Sequence, residues 1–194
     1  MLTTFRAGRA DDAPAMYALI AANLEAGHLL PRTLEDLRAH AHRFEVAVDG
    51  DVLAGCAELA PLSAAVAEVR SLVVGQAWRG RGLGPQLVAR LQRQARLAGF
   101  STLCALAHDP GHFVRLGFTI VPHVWFPEKV ALDCTTCPKF RRCGQHAVAL
   151  ALDGSALQAP AASYRREPLT AATPLARLLR TRSGDEAVGA VAAS

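Results

Sequence analysis

The stretch Val66 to Val74 reads as a strand, and it runs through Trp78 into Arg79-Gly80-Arg81-Gly82-Leu83-Gly84. From there the chain enters a helical repeat, Leu87, Val88, Leu91 and Ala95, that Gly99 ends. Strand, glycine-rich loop and helix in that order constrain the fold more than any other feature of the chain. A helix N-terminus leaves amide N–H groups without intrahelical acceptors and carries the positive end of the helix dipole, so a turn free of bulky β-carbons lets an anion reach those amides. Gly80, Gly82 and Gly84 give that access, Arg79 and Arg81 add charge, and Trp78 is placed to shield one side. A turn that serves packing alone is the plain alternative. The spacing is not that of a P-loop, because no Lys-Ser/Thr follows. Nor is it a dinucleotide fingerprint, because the third glycine is misplaced.

Other elements frame this unit. After an extended segment around Phe5, Asp11 is positioned to cap a helix with Met16, Leu19, Ile20 and Leu24 on its apolar face, stopped by Gly27. Thr33 with Asp36 resembles a capping arrangement for a second helix through His40. Residues 44–48 and 53–59 flank Asp49-Gly50, a strong hairpin signal. Thr102 to Ala107 is a buried strand, Gly111 to Leu116 a short helix, Phe118 to Val121 a strand, and His146 to Leu152 a last strand. Residues 125–146 are irregular and rich in Pro and Cys, and beyond Asp153 the composition shifts to Ala, Pro, Ser, Thr and Arg. One domain over 1–152 is expected, followed by a mostly disordered tail, 153–194, with a short helix at Leu175 to Arg182.

Composition excludes several classes. No apolar run is long enough for a membrane span, and Met1 to Arg9 lacks the apolar run of a secretory signal, so cytoplasm is the expected compartment. The formal charge of +4 comes from dispersed arginines with few aromatics between them, which fits a small anionic ligand better than nucleic acid. Oligomeric state is open, a homodimer being one arrangement the sequence allows.

Arg79-x-x-Gly82-x-Gly84 at a strand-to-helix junction resembles the pyrophosphate-binding loop of the GNAT superfamily of acyl-CoA-dependent N-acetyltransferases, and Arg115-Leu116-Gly117-Phe118 resembles that family's Gly-Phe motif. The resemblance spans about residues 3 to 152. It implies an α/β (α+β) fold with a mixed central sheet flanked by helices on both faces, and acetyl-CoA as co-substrate. Its pyrophosphate would lie on residues 79–84, from Arg79 through Gly80, Arg81, Gly82 and Leu83 to Gly84, and its pantetheine arm along Leu72, Val73 and Val74, with Leu72 and Val74 as backbone partners. Many members carry a general-acid tyrosine where this chain has Phe113, which would then only line the cofactor. His108 or His112 is left to protonate the thiolate, unless the site's electrostatics stabilise it, and His108 is the candidate chosen.

Leu29-Leu30-Pro31-Arg32-Thr33, Ala67-Glu68-Val69-Arg70-Ser71-Leu72, Pro127-Glu128-Lys129-Val130 and Asp133 to Phe140 with Cys143 look like the GNAT-type N-acetylglutamate synthases of bacterial arginine biosynthesis. That implies L-glutamate as acceptor, attacking acetyl-CoA directly in a ternary complex. Other amino acids or amines, or a non-catalytic acetyl-CoA-binding module, are the alternatives. Guanidinium groups grip carboxylates with paired charge-assisted bonds, so Arg32 and Arg70 are the substrate-binding candidates. A solvated loop arginine and a structural pair with Glu68 are their respective rivals. An ammonium with a pKa near ~10 is neutral about one part in a thousand at pH 7, and Glu68 is the candidate proton acceptor, directly or through water.

Five cysteines, Cys56, Cys104, Cys134, Cys137 and Cys143, without a secretory signal argue for free thiols or a metal rather than disulfides. Cys134, Cys137, Cys143 and His146 offer the four ligands zinc takes. Thiols packing a small irregular segment are the favoured reading, with no metal assigned.

Overall fold

The computed structural model describes residues 3–24 and 29–159. Gly27, the expected stop of the first helix, lies outside the described residues, as do the tail from 160 onward and its expected helix. Seven strands form one mixed sheet: β1 (Thr4–Ala7), β2 (Phe44–Asp49), β3 (Val52–Pro61), β4 (Val66–Val74), β5 (Thr102–Ala107), β6 (Thr119–Val121) and β7 (His146–Ala151). Their order is β1-β2-β3-β4-β5-β7-β6, antiparallel except where β4 meets β5. The helices are α1 (Ala13–Ala21), α2 (Leu34–Ala39), α3 (Leu83–Leu97), α4 (Gly111–Val114) and α5 (Pro127–Lys129), the last running into a π-helical turn, Val130–Cys134.

Strand periodicity sorts the core. Ala47, Ala54, Ala67, Val69, Leu103 and Val148 bury one face of the sheet beneath Leu83, Leu87, Val88, Leu91 and Ala95 of α3. Burying each such leucine or valine contributes about 1.5–3 kcal/mol, which fixes α3, and therefore the loop before it, against β2 to β4. On the opposite face Phe44, Val46, Cys56 and Val73 pack with Met16 and Ile20 of α1 and Leu37 of α2. Further along that face Cys104, Val121, Ala147 and Ala149 form a separate cluster with Leu62 and Phe126. Helices therefore cover both faces, as the resemblance implied.

Two registers shape the middle of the sheet. Between β3 and β4 the pairing passes from Cys56↔Val73 to Glu58↔Arg70, so Ala57 stands opposite both Ser71 and Leu72. This is a β-bulge, and Ser71 takes the left-handed conformation it needs, φ 49°. Between β4 and β5 the parallel pairing covers Val66, Ala67 and Glu68 and then ends, while β5 continues along β7 as far as Ala107. Past Glu68 the two strands part.

Several local expectations change. Asp12, not Asp11, stands at the N-terminus of α1, and its carboxylate holds Arg6 at 2.6 and 2.8 Å and the Arg9 amide at 2.7 Å instead of capping the helix. Leu24 lies beyond the end of α1 but still packs on its cluster. The hairpin turn is Gly50-Asp51, because Asp49 pairs with Val52. The chain also stays on the fold past Asp153, where Leu157 packs against the third cluster. Thr33 does cap α2, accepting from the Asp36 amide at 3.1 Å.

Cys56 and Cys104 are buried, Cys134 and Cys137 half-buried, and Cys143 exposed. Burial pushes the Cys56 thiol up to about 12 and the Cys104 thiol well above its ordinary value. Since the thiolate is the reactive form, a disulfide reagent at pH 8 should titrate Cys143, Cys137 and Cys134 in the native protein and reach Cys56 and Cys104 only on denaturation. Five thiols reacting at one rate in the native protein would contradict this core.

Candidate active site

The loop before α3 is shaped by two left-handed glycines, Gly80 (φ 76°) and Gly82 (φ 77°), a conformation that a side chain with a β-carbon adopts only at a cost. Gly82 is the N-cap of α3, and the first bond into the helix runs from the Gln86 amide to its carbonyl at 3.3 Å. The amides of Leu83 and Gly84 therefore precede the helix's own acceptors, and Pro85 stands where a missing N–H costs no intrahelical bond. The Trp78 indole lies against Gly75 and donates to Asp49 Oδ2 at 2.8 Å, anchoring the loop to the hairpin tip.

Arg79 is exposed beside the loop. Its guanidinium donates to the Val74 carbonyl at 3.2 Å and to Asn23 at 2.5 Å, so it braces the loop to the end of β4 and to the turn after α1. Arg81, Gly80 and Gly82 are exposed, and Leu83 is buried in the core beneath α3. Leu72 and Val74 pack partly on the α3 side and Val73 on the opposite side, on the part of β4 that β5 no longer covers. An open strand edge that leads to unpaired helix amides fits the extended amide arm and diphosphate of coenzyme A.

Phe113 is a core residue, its ring edge-on to Phe118 at 5.2 Å, so α4 presents no hydroxyl at this position. The neighbouring His112 reaches the loop instead. A β-carbon at position 84 would lie 3.5 Å from its ring, its Nε2 is buried without a partner, and burial with Arg115 nearby holds its pKa below the usual value. His108 follows β5 and lies beside Gly144. Among the described residues no group of three or more His, Cys, Asp and Glu side chains is arranged to hold a metal, so the geometry adds nothing for zinc at Cys134, Cys137, Cys143 and His146.

A charged seam crosses the sheet between the two apolar clusters of the α1/α2 face. Arg32 bonds Glu58 at 2.6 Å, Asp36 at 2.6 Å and the Ser71 hydroxyl at 3.2 Å, and lies 5.8 Å from the centre of the Phe44 ring. Glu58, 2% exposed, stands opposite Arg70 in the register. Arg70 donates to Glu68 and, at 2.5 Å, to Asp133. Lys129 bonds both Glu68 oxygens, at 2.8 and 2.9 Å, and Asp133 at 2.8 Å. Burial works against the charges of Arg32 and Arg70, and their carboxylate partners outweigh it, leaving both arginines above their ordinary pKa.

The structure thus brings the candidates Arg32, Glu68 and Arg70 together with Glu58, Lys129 and Asp133, to which the sequence had assigned no role. Three contacts engage the Glu68 carboxylate, a group with about four lone-pair sites, so about one stays open to water.

A mixed sheet that parts beside a helix N-terminus, with a charged seam at the split, is an arrangement suited to an acyl-CoA-dependent transferase. The model of the acetyltransferase (GNAT) family matches residues 13–118, and the chain belongs to that family. It is an acetyl-CoA-dependent N-acetyltransferase. An uncharacterized N-acetyltransferase from Chlorobaculum tepidum is 31% identical over 146 residues, 75% of this chain and 94% of that protein. The amino-acid acetyltransferase of Mycobacterium tuberculosis is 32% identical over 118 residues, 59% of this chain and 67% of that protein. The structure of N-acetylglutamate synthase from Neisseria gonorrhoeae, complexed with coenzyme A and N-acetyl-glutamate, superposes with a TM-score of 0.64 at 27% identity, covering 78% of this chain and 35% of that one. The chain likewise spans only 24% of the amino-acid acetyltransferase of Pseudomonas putida, with which it is 31% identical.

Gly82→Val should weaken acetyl-CoA binding at least ~10-fold by calorimetry, since a β-branched residue resists the left-handed turn by about 1–3 kcal/mol and crowds the amides. Unchanged affinity in a folded variant would remove the loop from the cofactor site.

Proposed function

We propose that the enzyme acetylates the α-amino group of L-glutamate. The observation that carries this is the convergence of Arg32 and Arg70, brought from a loop and from β4, on the two sides of buried Glu58. Glutamate offers two carboxylates and one ammonium, and the seam offers guanidinium groups with carboxylates between them. Relatives described as amino-acid acetyltransferases support the same reading.

In this reading coenzyme A lies along Leu72 to Val74 with its diphosphate on residues 80–84, which brings the thioester toward the seam. Arg32 and Arg70 hold the acceptor's carboxylates through donors now shared with Asp36, Glu58 and Asp133. Glu58 and Glu68 supply negative charge that draws the ammonium in, and its proton leaves to water held at the remaining Glu68 lone pair. The neutral nitrogen attacks the thioester carbonyl carbon, a C–N bond forms and the C–S bond breaks. The thiolate takes a proton from His108 or from solvent, giving N-acetyl-L-glutamate and coenzyme A.

An acetyl-CoA turnover assay across the twenty amino acids should show glutamate as the preferred acceptor. Arg32→Met should lower kcat/KM for glutamate about 10- to 100-fold, the scale of a lost charge-assisted bond of ~1.5–3 kcal/mol. Preference for a cationic or apolar acceptor, or an Arg32→Met enzyme with undiminished kcat/KM, would overturn the assignment.

A further inference from the structure

Within the seam, four side chains close a ring of alternating charge: Glu68, Lys129, Asp133 and Arg70. They differ in how they are held. Glu68 and Lys129 are buried, with 3% and 9% of their side chains exposed, and they bond each other directly. Asp133 is 29% exposed and sits on the π-helical turn, where its Oδ2 takes both the Arg70 Nη2 and the Lys129 Nζ bonds. Arg70 and Lys129 contribute two positive charges and Glu68 one fixed negative charge. Without Asp133 the ring carries one uncompensated positive charge, with two donors aimed at one point.

We propose that Arg70 and Lys129 form a socket for one carboxylate of the acceptor, and that Asp133 is its built-in occupant, displaced when the acceptor binds. This rests on the reading above that the acceptor bears a carboxylate. Exchange is balanced in charge, one carboxylate for another, so the buried Glu68–Lys129 pair keeps its compensation throughout. Lys129 stays anchored by Glu68 when Asp133 leaves, because its bonds to the two acids are separate. An amine without a carboxylate has nothing to put in place of Asp133, and the seam stays closed to it. Asp133 therefore sets the threshold of acceptor selection, and Lys129 belongs to the binding site along with Arg70.

The test uses the full chain and glutarate, a dicarboxylate that cannot be acetylated, with L-glutamate alongside it. By calorimetry, Asp133→Asn should bind glutarate about tenfold tighter than the unaltered protein, because it keeps the shape and loses the competing charge. KM for glutamate should fall in parallel. Adding Lys129→Met to Asp133→Asn should abolish the gain. Asp133→Asn binding glutarate no more tightly than the unaltered protein overturns the proposal, and so does loss of cooperative unfolding in both Asp133→Asn and Asp133→Ser, which would make Asp133 a structural tie. Tighter glutarate binding without glutamate turnover would sink the glutamate assignment and leave the socket standing. Glutamate turnover with unimproved glutarate binding would do the reverse.

Discussion

The site depends on one interruption in the sheet, where β4 pairs with β5 through Glu68 and no further. A parallel pair can part only if one strand turns away, and the bulge at Ser71 and Leu72 supplies that turn while β3 keeps its hold on the outer edge of β4. Because α3 is packed by five buried side chains onto the same face, its N-terminus is fixed at the end of the strand that has been exposed. The open backbone edge follows from the bulge, the unpaired amides from the start of α3, and the packing of α3 brings the two together. Arg79, bonded to the Val74 carbonyl and to Asn23, ties the pieces together.

The other face carries the charged seam. Apolar residues gather there into two clusters instead of one, and the positions between them on β3 and β4 are Glu58, Glu68 and Arg70. Buried charges of this kind cost desolvation and persist when each has partners, since removing one partner of such a pair costs about 3–5 kcal/mol. Elements distant in sequence provide those partners: Arg32 before α2, Lys129 on α5 and Asp133 on the turn after it. Each charge in this seam depends on the others for its partners, which limits how freely any of them can be replaced.

Much of this was legible in the chain. Period-two and period-3.6 patterns placed β4, β5 and α3 within a residue or two, because each buries a regular stripe, and the Gly80-Gly82 loop announced its own backbone requirement. Arg32 and Arg70 were visible as carboxylate-binding types. The bulge at Ser71 was not, since nothing in a serine between an arginine and a leucine signals a left-handed residue. Lys129 was hidden for a different reason: it meets Glu68 across 61 residues of sequence, and only the fold brings an irregular Pro- and Cys-rich segment back onto the sheet. The bonds of Arg79 to the Val74 carbonyl and Asn23 were not legible either, since its charge in the sequence suggests only an anion. The ring of Phe113 goes to the core, as an apolar residue at that position would lead one to expect.

Amide hydrogen exchange with and without coenzyme A tests the parted strands most directly. The account predicts slowed exchange at Leu72 to Val74 and at Gly80 to Gly84 when coenzyme A is bound, with the paired start of β4, Val66 to Glu68, unchanged. Saturating coenzyme A that leaves both stretches exchanging as before, while protecting some other part of the chain, would contradict it.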